Sequence, residues 1–235
     1  MIINPHHNRA LKIVILGSAK SGKSAVTVRY LTKRYIGEYS SSKGEVSKID
    51  FVTPPDFLYH HSLNFDETKT EIEIMDTSSC KHSCSQSAQC LNDHISWGEA
   101  FVVVYSICDK RSFIHARYLL ETISVLKGPR RYPIILLGNK RDLEHGRQVQ
   151  VDEGQELSLR WQCQFYEVSA AESYVGVSLA FQSLIREARP LHALKTLPTI
   201  RRKTSPAMTV SKMIGIVFGK NGSKRNGKKR PSLSI

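Results

Sequence analysis

The chain predicts an α/β fold, a mostly parallel sheet covered by helices on both faces. Three observations lead there. Short runs rich in β-branched and apolar residues, Leu11 to Leu16, Phe101 to Ser106, Ile134 to Leu137 and Phe165 to Val168, read as buried strands. Stretches with apolar residues at helical spacing alternate with them, notably Phe113, Ala116, Leu120, Ile123 and then Val177, Phe181, Leu184, Ile185, Ala188. The first strand also passes into the first helix through a glycine-bracketed loop, Gly17-Ser18-Ala19-Lys20-Ser21-Gly22-Lys23-Ser24.

Taken in order, Lys12 to Leu16 is a buried strand and Lys23 to Tyr35 a helix. Phe57 to Phe65 and Thr70 to Met75 form a hairpin around Asp66-Glu67, and Phe101 to Ser106 is the next buried strand. The stripe from Phe113 to Ile123 is a helix over that strand. Ile134 to Leu137 and Phe165 to Val168 complete the strand set, and the stripe from Val177 to Ala188 is a closing helix. Pro190 is expected to end a domain of residues 11–190, preceded by a flexible N-terminus of residues 1–10. Nothing repeats internally.

The loop carries chemistry. Its backbone N–H groups, with the positive end of the following helix, suit phosphate oxygens. Lys23 would then reach the β and γ phosphates, and the Ser24 hydroxyl would ligate Mg²⁺. A second run, Asn139-Lys140-Arg141-Asp142, leaves the carboxyl end of a strand, where open α/β sheets bind ligands. A carboxylate at Asp142 can accept from guanine N1–H and the N2 amino group, a pair that adenine lacks. Together the two runs point to GTP and GDP.

In chain order, Gly17 to Ser24, Asp76-Thr77 after Ile72 to Met75, Asn139 to Asp142, and Ser169-Ala170 after Phe165 to Val168 resemble the signature of Ras-like small GTPases. Leu31-Thr32-Lys33-Arg34-Tyr35-Ile36-Gly37-Glu38-Tyr39 resembles the estrogen-regulated growth inhibitor branch of that superfamily. The resemblance covers about Lys12 to Arg189. It implies a P-loop NTPase fold with a six-stranded, mostly parallel sheet. It also implies that Ala25 belongs with the loop residues in the nucleotide site, that Tyr35 and the Lys140 stem sandwich the guanine ring, and that Ser169 and Ala170 support its O6 edge. Asp76 would hold Mg²⁺ through a water.

The chain departs from that pattern where the γ-phosphate is sensed and cleaved. Ser78-Ser79-Cys80 stands where the family has Ala-Gly-Gln, and a thiol cannot orient a water as a glutamine does. Ala19 replaces a glycine of Ras, crowding the path of an arginine finger. The first switch is longer by about a dozen residues, so the threonine that closes over Mg²⁺ has two counterparts, Ser42 or Thr53. A second insertion surrounds Ser83 to Cys90. These features imply slow GTP hydrolysis, with a degenerate GTPase serving as a non-enzymatic interaction scaffold as the alternative.

Of the formal net charge of +13, most sits after residue 190, where eleven Lys and Arg residues meet no Asp or Glu. Residues 191–235 therefore read as a basic, disordered tail. Within it Val210, Met213, Ile214, Val217 and Phe218 recur at helical spacing, an amphipathic pattern suited to an anionic membrane surface. Docking on the domain, nuclear import and a solvated tail are the other readings. The sequence ends Pro231-Ser232-Leu233-Ser234-Ile235, without a prenylated cysteine box.

Five cysteines, an odd number, indicate free thiols in a reducing compartment. Cys80, His82, Cys84, Cys90 and His94 cluster, yet their spacing contains no CxxC pair for zinc. No signal peptide and no apolar run of ~20 residues is present, so a cytoplasmic location, peripheral to membrane or nuclear, is expected. The domain has no aromatic stripe with interleaved cations, which argues against nucleic acid. A monomer with unidentified effector proteins completes the expectation.

Overall fold

The computed structural model describes residues 9–35, 57–65, 68–77, 84–128 and 132–196. Its elements are β1 (Leu11–Gly17), α1 (Lys23–Thr32), β2 (Phe57–Phe65), β3 (Thr68–Asp76), α2 (Cys84–Trp97), β4 (Ala100–Ser106), α3 (Lys110–Lys127), β5 (Ile134–Asn139), α4 (Val151–Trp161), β6 (Gln164–Glu167) and α5 (Tyr174–Thr196). A 3₁₀ segment, Arg141–Gly146, follows β5. The six strands form one sheet in the order β2-β3-β1-β4-β5-β6. Only the β2–β3 pair is antiparallel.

Strand alternation divides the core in two. Leu11, Ile13 and Ile15 of β1 and Val102 and Val104 of β4 pack against Val26, Tyr30, Phe181 and Leu184 of α1 and α5. Val14, Leu16, Phe101, Val103 and Tyr105 face the other way, against Ile95, Phe113, Leu120 and Leu157 of α2, α3 and α4. Period-2 side chains buried on both faces are what covered parallel strands require.

The register brings the working ends together. Ile15 pairs with Asp76, Gly17 with Val104, Ser106 with Asn139 and Gly138 with Glu167. Five carboxyl ends thus share one edge. The strand order reverses at β1, which lies between β3 and β4, so that edge carries a topological switch point, the usual ligand crevice of open α/β sheets.

Two boundaries differ from expectation. The first helix stops at Thr32 rather than Tyr35, because Lys33 turns left-handed (φ 62°) and its N–H closes on the Arg29 carbonyl at 3.0 Å. Tyr35 is 46% exposed, outside the core. Pro190 does not stop α5, which runs on to Thr196, so residues 191–196 are helical rather than tail. Pro190 lacks the N–H that would continue the helical ladder but is exposed, so its ring meets solvent and not a packed neighbour, and His192 anchors the extension. Neither α2 nor α4 was legible from the apolar pattern.

The His192 anchor has a definite chemistry. Its Nδ1 lies 2.8 Å from Glu99 Oε2 and its Nε2 2.6 Å from the Arg9 carbonyl. Both partners accept, so occupying both nitrogens requires the doubly protonated imidazolium. Glu99 correspondingly holds its pKa above the ordinary imidazole value.

Candidate functional site

The phosphate loop is held by two glycines for different reasons. At Gly17 (φ +150°) a Cβ would lie 2.2 Å from the Val104 carbonyl oxygen, so a side chain would drive β1 from β4. At Gly22 (φ +94°) a Cβ would lie 2.2 Å from Asn139 Nδ2. Between them, Ala19 and Lys20 form the exposed bend, with Lys20 left-handed at φ 63°. Ser21 is 1% exposed and its hydroxyl donates to the Ser18 carbonyl at 3.0 Å.

Lys23, only 6% exposed, donates from Nζ to the carbonyls of Gly17 and Ser18 at 2.8 and 2.9 Å, which spans the loop with a positive charge. Gly22 gives α1 no side-chain cap and its first turn has no acid, so N–H groups and the dipole's positive end face the loop. Ser18 Oγ is buried without a hydrogen-bond partner in the structure. An anion cradle is the arrangement that uses all of these features. His115 on α3 is pushed below the usual imidazole pKa, by burial first and then by the Lys23 charge.

Ser24 and Ala25 are half-buried in the first turn of α1, and Asp76 is wholly buried at the end of β3. Thr77 clips that end to β1, its hydroxyl donating to the Ile15 carbonyl at 2.8 Å. A hydroxyl and a carboxylate at the phosphate loop are hard oxygen donors of the kind Mg²⁺ takes together with phosphate oxygens. The donor set therefore fits that ion.

Asn139 joins this loop to the far side of the crevice. Its Nδ2 donates to the Ser21 carbonyl at 3.1 Å, and its Oδ1 accepts from the Ala170 N–H at 3.2 Å. Lys140 is left-handed (φ 69°), which turns the chain so that Asp142 meets Ser169; the Ser169 hydroxyl donates to Asp142 Oδ1 at 2.6 Å. Arg141 N–H bonds the Val168 carbonyl at 3.1 Å, zipping the two loops together. Gly17 to Ala25, Asp76, Asn139, Lys140, Asp142, Ser169 and Ala170 thus line one edge of the sheet, with Tyr35 exposed at the exit of α1.

Sequence reasoning missed the supports. Arg147 forks onto Glu167 at 2.8 and 2.8 Å and onto Glu144 at 2.7 and 2.8 Å, tying the 3₁₀ segment to the end of β6. Arg29 donates to the Ala171 carbonyl at 2.7 Å. The Arg147–Glu167 and Arg29–Ala171 contacts join residues 20 and 142 apart in the chain, and local pattern carries no signal of them.

Cys80 with Ser78 and Ser79, both candidate switch residues Ser42 and Thr53, and the tail from residue 197 lie outside the described residues. Among the described residues, no group of three or more His, Cys, Asp or Glu converges, although Cys90 Sγ lies 3.6 Å from His94 Nε2. Cys108 and Cys163 are free thiols, and burial pushes Cys163 up to about 11. No described helix is long and apolar enough to cross a membrane.

A family model described as "Ras family" matches residues 12–190. The "Ras-related and estrogen-regulated growth inhibitor" of Homo sapiens is 36% identical over 179 residues, 76% of this chain and 81% of the relative. The "Ras-related and estrogen-regulated growth inhibitor-like protein" of Bos taurus is 35% identical over 218 residues, 89% of this chain and 96% of the relative. The "Ras-like protein family member 11A" of Homo sapiens is 34% identical over 203 residues, covering 84% and 80%.

Proposed function

Because the chain belongs to the Ras family of small GTPases, we propose that it binds GTP and GDP with Mg²⁺, hydrolyses GTP slowly and acts in intracellular signalling. The observation that carries this reading is Asn139, whose amide bridges the phosphate loop and the Ser169-Ala170 loop. The bridge supports a site in which the phosphate and base ends of one ligand are held in fixed relation. Ser24 and Asp76 would hold the metal. When bound, Mg²⁺ supplies charge neutralisation at the β and γ phosphates.

Each side chain then has a task. The loop N–H groups and Lys23 bind the phosphates, while Asp142 selects guanine and is itself oriented by Ser169. Tyr35, exposed and free of the core, covers one face of the base and the Lys140 stem the other. Ser79 and Cys80 leave the attacking water without an orienting glutamine, which keeps turnover slow. The same two residues favour the second reading, a nucleotide-bound scaffold without turnover. The basic tail supplies reversible contact with anionic membrane, and the protein works as a cytoplasmic monomer whose effectors read its nucleotide state.

The test starts with nucleotide released from the purified full chain, identified chromatographically, followed by titration with labelled GDP and ATP and single-turnover cleavage of GTP. Guanine nucleotide should be recovered, ATP should bind orders of magnitude more weakly, and the Ser79→Gly/Cys80→Gln double variant should cleave faster than the wild type. Equal affinity for ATP and GDP overturns the guanine reading. Binding without any cleavage, in wild type and double variant alike, leaves the scaffold as the function.

A further inference from the structure

Arg29 lies on α1 six residues after Lys23, about 9 Å along the helix axis. Its guanidinium reaches two carbonyls. Nη2 donates to Ala171 at 2.7 Å and Nη1 donates to Lys33 at 3.2 Å. These belong to the two segments that reach the base end of the crevice: Ala171 directly follows Ser169-Ala170, and Lys33 is the left-handed residue from which the chain runs to Tyr35. A second contact closes the same gap, for Lys33 Nζ sits 5.6 Å from the centre of the Tyr174 ring at the start of α5.

We propose that Arg29 is a positioning residue for the guanine base, a two-pronged clamp that holds the Ser169–Ala171 loop and the α1 exit at the spacing of one planar ring. This rests on the guanine-nucleotide reading and adds to it the device that sets the width of the base pocket. The physics favours arginine. Its planar fork presents several donors in fixed directions, and bonds from a charged donor to a carbonyl are stronger than neutral ones. A lysine at the same place has one point charge and cannot hold both carbonyls in one plane. Because α1 begins with the phosphate-binding Lys23 and Ser24, the clamp also makes one rigid helix span the site from the phosphates to the base.

The clamp acts on the base and not on the metal, and the experiment uses that difference. Release of a fluorescent GDP derivative is followed from the full-length wild type, Arg29→Ala and Arg29→Lys, with and without EDTA. Affinities for GDP and ADP and the urea midpoint are measured on the same preparations. Arg29→Ala should release GDP about tenfold faster and bring the GDP-to-ADP preference down by a similar factor. The acceleration caused by EDTA should stay as in the wild type, and Arg29→Lys should fall between the two.

A merely structural arginine would lower the urea midpoint and weaken both nucleotides alike, leaving the preference intact; that result overturns the clamp. So does GDP release at the wild-type rate from Arg29→Ala. If Arg29→Ala does not fold, the preference of Arg29→Lys decides, and a wild-type ratio there overturns the proposal. A wild type that holds no guanine nucleotide at all overturns the underlying reading first.

Discussion

Replacing Arg147 by methionine should cost the domain a large part of its stability while leaving its volume nearly filled. The Arg147 and Glu167 side chains are each 8% exposed and meet in a bidentate pair, with a further bond from Arg147 to the Val149 carbonyl at 2.9 Å. Glu144, 60% exposed, adds only a surface contribution of about 0–1 kcal/mol. The methionine keeps the aliphatic stem and strands the Glu167 carboxylate in a dry site. An uncompensated buried charge costs about 3–5 kcal/mol. With a urea m-value of ~2 kcal/mol/M, the midpoint should fall by roughly 1.5–2.5 M. Adding Glu167→Leu removes the stranded charge, and most of the loss should return, because a buried pair replaced by apolar groups is close to neutral. Urea unfolding of both single variants and the double variant, read as a double-mutant cycle, provides the measurement. A single variant within about 1 kcal/mol of wild type, or additive losses in the double, would refute the reasoning.

The His192 anchor should show in the pH dependence. The folded pKa is raised, so its stabilisation is complete below the unfolded imidazole value of about 6.5 and is lost as pH rises through the folded value. Glu99 holds the proton and the Arg9 side chain opposes it. The stability difference between wild type and His192→Gln should therefore be largest in mild acid and shrink toward alkaline pH; a flat or rising difference counts against the imidazolium. For the tail, the full chain should sediment with phosphatidylserine vesicles at low salt, each nearby cation adding ~1 kcal/mol, and a chain ending at Thr196 should not. Raising the salt should weaken the binding as the ~8 Å physiological screening length shortens. Equal sedimentation after truncation removes the membrane role.

The legible parts of the molecule were those whose chemistry is local. A glycine-bracketed loop between a β-branched run and a helix states its own geometry, and Asn139 to Asp142 states its place after a strand. The α4 helix was hidden because Gly154 interrupts its apolar face; a Cβ there would lie 2.5 Å from the Phe165 ring, so the residue is small for close packing against β6. The end of α1 depended on Lys33 turning left-handed, a choice helped by Arg29 and by the Tyr174 ring, which lies 141 residues along the chain. Pro190 misled because local chain stiffness was weighed without the Glu99 and Arg9 contacts that anchor the helix beyond it. Arg29 and Arg147 could be found only in three dimensions, since their partners are 142 and 20 residues away.

The meeting of His192 with the Arg9 carbonyl has a topological consequence. The start of β1 and the last turns of α5 meet, so the path of the described domain is nearly a closed ring. A linker of about four residues, each spanning at most ~3.3–3.6 Å, is enough to join the end of α5 to the start of β1. New termini can then be opened in a surface connection without disturbing the sheet order. The same closure puts Arg9 and His192 at one corner of the described domain, at the end of β1 opposite Gly17 and the nucleotide edge, so changes made at that corner leave the site's own supports untouched.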